Sequence, residues 1–227
     1  TSATVGKATI AISGGTIGTD NSNDLLSSDF SVGDVFGSGC GDVVNYQDAL
    51  AGCTVNAEIN ISNATIKGAV FGGGEMASLG FKNTNGAIAN GTGHAEITIG
   101  TGTVIGTDDE FHLYVAPDDE NPNLPNANPG NWTFYDEQGK LLHTCTGNVT
   151  GGSQGDVDPT CHAWVSMGHS KSSNVTINGG TIMGNVIGGP EQGLMTGNTH
   201  VTVHDGTIGT LVISRSEERR VGKECRS

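Results

Sequence analysis

The chain has 227 residues, of which 37 are Gly and only 15% are charged, with a formal net charge of −14. The Gly content is about twice the usual ~7% and has no every-third-residue period, which excludes collagen. No stretch reaches the ~20 apolar residues of a membrane span, and so acidic a balance argues against nucleic acid, whose phosphates demand a Lys/Arg surface.

In chain order, five segments align without gaps: TIAISGGTIGT (9–19), EINISNATIKG (58–68), EITIGTGTVIG (96–106), NVTINGGTIMG (174–184) and HVTVHDGTIGT (200–210). Each reads apolar–x–apolar, a three-residue turn, then Thr followed by Ile or Val. The pairs Ile10/Ile12, Ile59/Ile61, Ile97/Ile99, Val175/Ile177 and Val201/Val203 alternate at period two with β-branched residues, the mark of a strand with one buried face. Gly and Asn in the intervening turns supply positive φ at little cost. A second module follows some copies: GDVFGSG (33–39), GAVFGGG (68–74) and GNVIGGP (184–190), one more strand ending in a Gly corner.

From Ile12 the equivalent position recurs after 49, 38, 78 and 26 residues, at Ile61, Ile99, Ile177 and Val203. The shortest interval suits one coil of a parallel β-solenoid, and the longer ones suit coils carrying inserted loops. A single coil buries too few aliphatic side chains to offset the entropy of ordering it, so only stacked neighbours make such a fold viable. The expected fold is therefore all-β, a single-stranded parallel β-helix (solenoid) with loop or hairpin insertions at about 20–55 and 107–168. An antiparallel β-sandwich of the same short strands is the alternative.

The GGTI-x-G-x-V-F/I-GGG phrase resembles the repeat of large secreted or surface β-solenoid proteins of Bacteroidales-type bacteria, over about residues 4–213. That resemblance implies a right-handed parallel β-helix and carries no catalytic signature. It also implies an extracellular or outer-surface location.

All four Arg fall in the last 13 residues, whereas residues 1–214 hold five Lys against 21 acidic residues. The stretch RSEERRVGKECRS (215–227) resembles the translation of a common short-read sequencing adapter and is read as a non-native tail, excluded from fold reasoning. The remaining 1–214 read as an internal fragment of a longer, metagenome-derived protein.

Setting Cys225 aside, Cys40/Cys53 and Cys145/Cys161 form two local pairs inside the insertions. An even count of this kind predicts disulfides in an oxidising compartment, each worth about 3 kcal/mol; reduced, buried thiols are the competing reading. Most aromatic residues fall in the longer insertion. There WTFYDEQGKLLHTC (132–145) reads as a β-hairpin, and Trp132, Tyr135 and Trp164 are candidate binding residues. Asp118, Asp119, Glu120, Asp156 and Asp158 could hold Ca²⁺, although no spacing matches a known Ca²⁺ loop and solvated acids are the plainer reading. No other cofactor is expected.

Glu58 and Glu96 take the same outward position on successive repeats, about 5 Å apart if those repeats touch, close to the spacing of a retaining glycosidase pair. Like charges so placed would raise one pKa or recruit a cation. The β-helix polysaccharide lyases and hydrolases that such a face resembles line it with a basic group or several Asp; here there is no Arg and little Lys nearby, which favours a solvated face. Thr16, Thr65, Thr103, Thr181 and Thr207 align as one column, read as a hydroxyl ladder. Phe36, Phe71 and Ile187 align as another, either stacking on sugars or turned into the core. The seven His form no evident metal site or Ser/His/Asp set.

The functional expectation is a non-catalytic structural and adhesive module of a large exported bacterial surface protein. Its partners would be glycans, a host or neighbouring-cell surface, and adjoining repeats of the parent chain. The alternative is a carbohydrate-active β-helix enzyme, a polysaccharide lyase or glycoside hydrolase acting through Glu58 and Glu96 or through the acids of the insertions.

Overall fold

The computed structural model describes residues 5–18, 33–39, 54–75, 77–81, 88–106, 147–155, 168–191, 193–209 and 212–213. Among them there is no helix. Fifteen strands form three parallel five-stranded sheets, and every strand pair is parallel, which removes the antiparallel sandwich.

The first sheet contains β1 (Val5–Ile12), β4 (Thr54–Ile61), β7 (His94–Ile99), β10 (Ser172–Ile177) and β13 (Thr199–Val203), in that order. The second contains β2 (Gly15–Ile17), β5 (Ala64–Ile66), β8 (Val104–Ile105), β11 (Thr181–Ile182) and β14 (Thr207–Ile208). The third contains β3 (Val35–Phe36), β6 (Val70–Phe71), β9 (Val149–Thr150), β12 (Val186–Ile187) and β15 (Val212–Ile213). The chain thus visits the sheets in rotation, one strand each, and every repeat lies against the repeat before it.

Ile12, Ile61, Ile99, Ile177 and Val203 are register partners along one column, as the repeat requires. Beside them run Ile10, Ile59, Ile97, Val175 and Val201, and the inward residues of the other two sheets complete a single aliphatic core. Hydrogen bonding between repeats continues past the strand ends. Ser62 N–H donates to Ile12 O at 2.8 Å, Gly100 N–H to Ile61 O at 2.7 Å and Asn178 N–H to Ile99 O at 2.7 Å.

The third repeat breaks the ungapped alignment. Val104, not Thr103, is the partner of Thr65 and Thr181, because four residues rather than three separate Ile99 from the next strand. The extra residue sends Ile105 into the core instead of the smaller Val104, a larger burial of apolar surface. Thr103 leaves the threonine column and is buried in the turn, where its hydroxyl donates to Ile61 O at 3.4 Å. Asn63, at φ 50°, turns the chain at the equivalent corner of the second repeat; Asn is one of the few side chains that tolerates this conformation.

A second correction concerns the stretch 107–168. It encloses β9, whose GNVTGGS (147–153) is the missing third copy of the second module and pairs with both β6 and β12. The phenylalanine column therefore runs Phe36, Phe71, Thr150, Ile187, Ile213. Phe36 and Phe71 stack at 5.0 Å, and Phe71 is fully buried, which leaves its ring no face for a sugar. Strand alternation puts it on the opposite side from the core residue Val70, so both sides of the third sheet are covered there.

The corner from the third sheet to the first is glycine because nothing else fits. A Cβ on Gly37 would lie 2.3 Å from Gly72 O and 2.7 Å from Ala57 Cβ. The same arrangement repeats with Gly72 against Gly151 O and Ala95, and with Gly151 against Gly188 O and Ser173. Ala57, Ala95 and Ser173 are themselves one register column, so a stack of small side chains meets a stack of glycines.

Just before the third sheet, Asp34 Oδ1 accepts from Ala69 N–H at 2.7 Å, and Asn148 Oδ1 accepts from Asn185 N–H at 2.9 Å in the same way two repeats later. Burial pushes the Asp34 carboxyl above its usual range, the Ala69 N–H only partly opposing it, and the Glu75 charge adds to the rise. A carboxyl that holds its proton more tightly when folded costs stability once pH exceeds the folded-state pKa, and costs nothing below the unfolded-state value. Asp34→Asn keeps the acceptor and removes the charge. It is expected to raise the melting temperature at about pH 7 and to leave it unchanged near pH 3, below the unfolded pKa of about 3.9. Equal shifts at both pH values would contradict this assignment.

Candidate functional site

The first sheet presents alternate residues outward in three columns. They are Lys7, Asn56, His94, Ser172; Thr9, Glu58, Glu96, Asn174, His200; and Ala11, Asn60, Thr98, Thr176, Thr202. Regular strands fix these positions, so side chains far apart in sequence meet at one strand spacing, about 4.8 Å.

Glu58 and Glu96 are register partners, as their shared repeat position requires. Their surroundings differ. Lys7 Nζ forms an ion pair with Glu58 Oε2, and Asn60 Nδ2 donates to Glu58 Oε1 at 2.9 Å. The hydrogen bond from Lys7, then that from Asn60, hold the Glu58 carboxyl below its usual range. The sequence expectation of a face with little Lys nearby missed Lys7, which lies two residues before the aligned repeat. A general acid needs its carboxyl raised towards the working pH, and Glu58 is shifted the other way.

Glu96 Oε2 accepts from Asn174 Nδ2 at 2.9 Å and lies 3.1 Å from His94 Nε2, while His94 Nδ1 lies 2.9 Å from Ser172 Oγ. Ser172, His94 and Glu96 thus stand in the order hydroxyl, imidazole, carboxylate, a set that sequence spacing alone did not disclose. Reading the repeat two residues further towards its start would have placed His94 and Ser172 in adjacent strands.

Order alone does not make a nucleophile. Acyl transfer also needs donors aimed at the developing oxyanion. The nearest backbone N–H groups are committed: those of Lys171 and Ser172 donate to Gly93 O, and that of Ser173 to Asn198 O. The Asn174 amide is held by Glu96. The cluster lies on an open sheet face, with about two-fifths of the His94 and Glu96 side chains exposed.

A shallow groove of about 290 Å³ adjoins Glu58 at the end of the first sheet, lined by Ala11, Ser13, Asn60, Ser62, Thr98 and Gly100 together with Ile12 and Ile61. Asn60 belongs to both the groove and the Glu58 hydrogen bond. The result is one polar stripe, from Lys7 to Asn174, beside a groove whose lining is small residues together with Asn60, Ile12 and Ile61.

Trp132, Tyr135, Trp164, the Ca²⁺ candidates Asp118, Asp119, Glu120, Asp156 and Asp158, and the cysteines Cys40, Cys53, Cys145 and Cys161 all lie outside the described residues. Among the described residues, no three His, Cys, Asp or Glu come together as a metal site, and no helix is long and apolar enough to cross a membrane.

No family model, curated protein or solved structure matches the chain.

Proposed function

We propose that the three sheets are the walls of a single right-handed parallel β-helix. The module belongs to a large exported bacterial surface protein, where it serves as stalk and as an adhesive, glycan-contacting face. The rotation of the chain through three in-register parallel sheets supports the helix. The Gly-corner phrase and the Arg-poor acidic composition of 1–214 support an exported repeat protein.

The observation that carries the adhesive role is the Glu58–Asn60–Glu96–Asn174 stripe. A carboxylate offers about four lone-pair sites, and each of these two uses two of them within the protein. The remainder face solvent on a rigid sheet, suited to accept from sugar hydroxyls. Their negative charge selects neutral, hydroxyl-rich glycans over acidic ones.

A glycan array probed with the whole chain tests this. Binding to neutral glycans is expected, and Glu96→Ala should weaken it about tenfold, the worth of one charge-assisted hydrogen bond. Retained binding in Glu96→Ala would move the contact elsewhere, with Trp132 and Tyr135 as the next residues to replace. Reducing-sugar release from a polysaccharide, abolished by Glu58→Gln, would replace the adhesive reading with the enzymatic one.

A further inference from the structure

We propose that Asn90 is a self-modifying site, activated by Lys171. The Gly91 nitrogen attacks the Asn90 side-chain carbon, ammonia leaves, and water opens the resulting cyclic imide to isoaspartate and aspartate.

The chemistry needs a side-chain carbonyl carbon, an unhindered nitrogen one residue on, and access for water. Two Asn–Gly pairs lie wholly within the described residues, Asn90–Gly91 and Asn178–Gly179. The first is exposed at both residues, and a Cβ added to Gly91 would meet no atom within 4 Å. It forms the tip of a turn in which Thr92 N–H donates to Ala89 O at 3.3 Å, with Gly91 at φ 78°, a conformation glycine adopts at little cost. Among the described residues the Gly91 N–H has no acceptor, so the nucleophile gives up no hydrogen bond.

The second pair is held differently. Asn178 N–H donates to Ile99 O at 2.7 Å. Gly179 is buried against the layer before it, where an added Cβ would lie 2.9 Å from Thr101 Cγ2. Closing the ring there means turning a peptide that is packed between layers.

Lys171 singles out the first pair further. From the next layer, 81 residues on, its Nζ donates to Asn90 Oδ1. A donor on that oxygen draws electrons from the carbon under attack and stabilises the oxyanion that forms there. The new bond joins Gly91 N to Asn90 Cγ, the bond from Cγ to the amide nitrogen breaks, and the Gly91 proton leaves with the ammonia. Water then adds across one of the two imide C–N bonds.

The product lies beside the polar stripe. Asn56 ties this turn to the strand that follows: its Nδ2 donates to Gly91 O at 3.4 Å, and its Oδ1 accepts from His94 N–H at 2.9 Å. Isoaspartate adds one carbon to the main chain at position 90, which draws Gly91 O away from Asn56 and loosens the entry to β7. The new carboxylate also faces Lys171.

The test ages the whole chain in mildly alkaline buffer and follows intact mass, ammonia release and the site of change by peptide sequencing. The mass should fall by one ammonia as the imide forms and rise by one water as it opens, with isoaspartate at position 90 and Asn178 intact over the same time. Asn90→Gln should abolish the change in this turn. Lys171→Met should slow it about threefold, the worth of one exposed hydrogen bond, while Lys171→Arg, which keeps a donor, should react at nearly the wild-type rate. An intact Asn90, faster loss at Asn178, or an unchanged rate in Lys171→Met would each overturn the proposal.

Discussion

Gly72→Ala should lower the stability of the whole stack by about 3 kcal/mol or prevent its formation, at the upper end of what one added methyl group costs a packed interior. The new Cβ would lie 2.4 Å from Gly151 O and 2.7 Å from Ala95 Cβ, in the next layer. Neither neighbour can swing aside: one is a backbone carbonyl, and the other is the first atom of a buried side chain. Gly72 N–H also donates to Thr150 O at 2.8 Å, so moving the corner outward would break the hydrogen bond that joins the second repeat to the third. Gly6→Ala is the matched control. Gly6 has no atom within 4 Å of its added Cβ and sits in the regular strand β1, so the change should be neutral or stabilising by up to about 1 kcal/mol. Urea titrations of both variants read the contrast directly; equal midpoints would mean that the glycine corner is not a steric requirement.

The second large effect is expected at the centre of the aliphatic column. Ile99 is fully buried between Ile61 and Ile177, and Ile99→Ala should cost about 2–5 kcal/mol through lost burial and the cavity left behind. Ile12 is the same residue type in the same column but, among the described residues, has a register partner on one side only, and it is partly exposed. Ile12→Ala should cost markedly less in the same urea titration. Equal losses would show that the two positions are not members of one stacked column.

Much of this molecule was legible without coordinates because its strands are short, alternate strictly and return in the same orientation. A period-two pattern states which side chains share a face, and a repeated pattern states which faces meet. Ile12, Ile61, Ile99, Ile177 and Val203 were assigned to one column on that basis, and Glu58 to Glu96 on the same basis. Three features were not legible. The extra turn residue before Val104 was hidden because an ungapped alignment matches Thr103 to the other threonines. β9 was hidden because its module falls between two long inserted stretches and carries Thr150 where other copies carry Phe or Ile. The Ser172–His94–Glu96–Asn174 cluster was hidden because the partners that join its two strands lie 78 residues apart in the chain.

The amino-acid sequence by itself determined the repeat, the strand alternation and the aliphatic columns, since each follows from local geometry and a one-dimensional period. Only the tertiary structure decided how the third repeat is registered, which hydroxyls and carboxylates touch, and that Phe71 is covered while Val203 is not. Those depend on which layers adjoin and on what seals them, and contact between layers is a property of the stack rather than of any one strand.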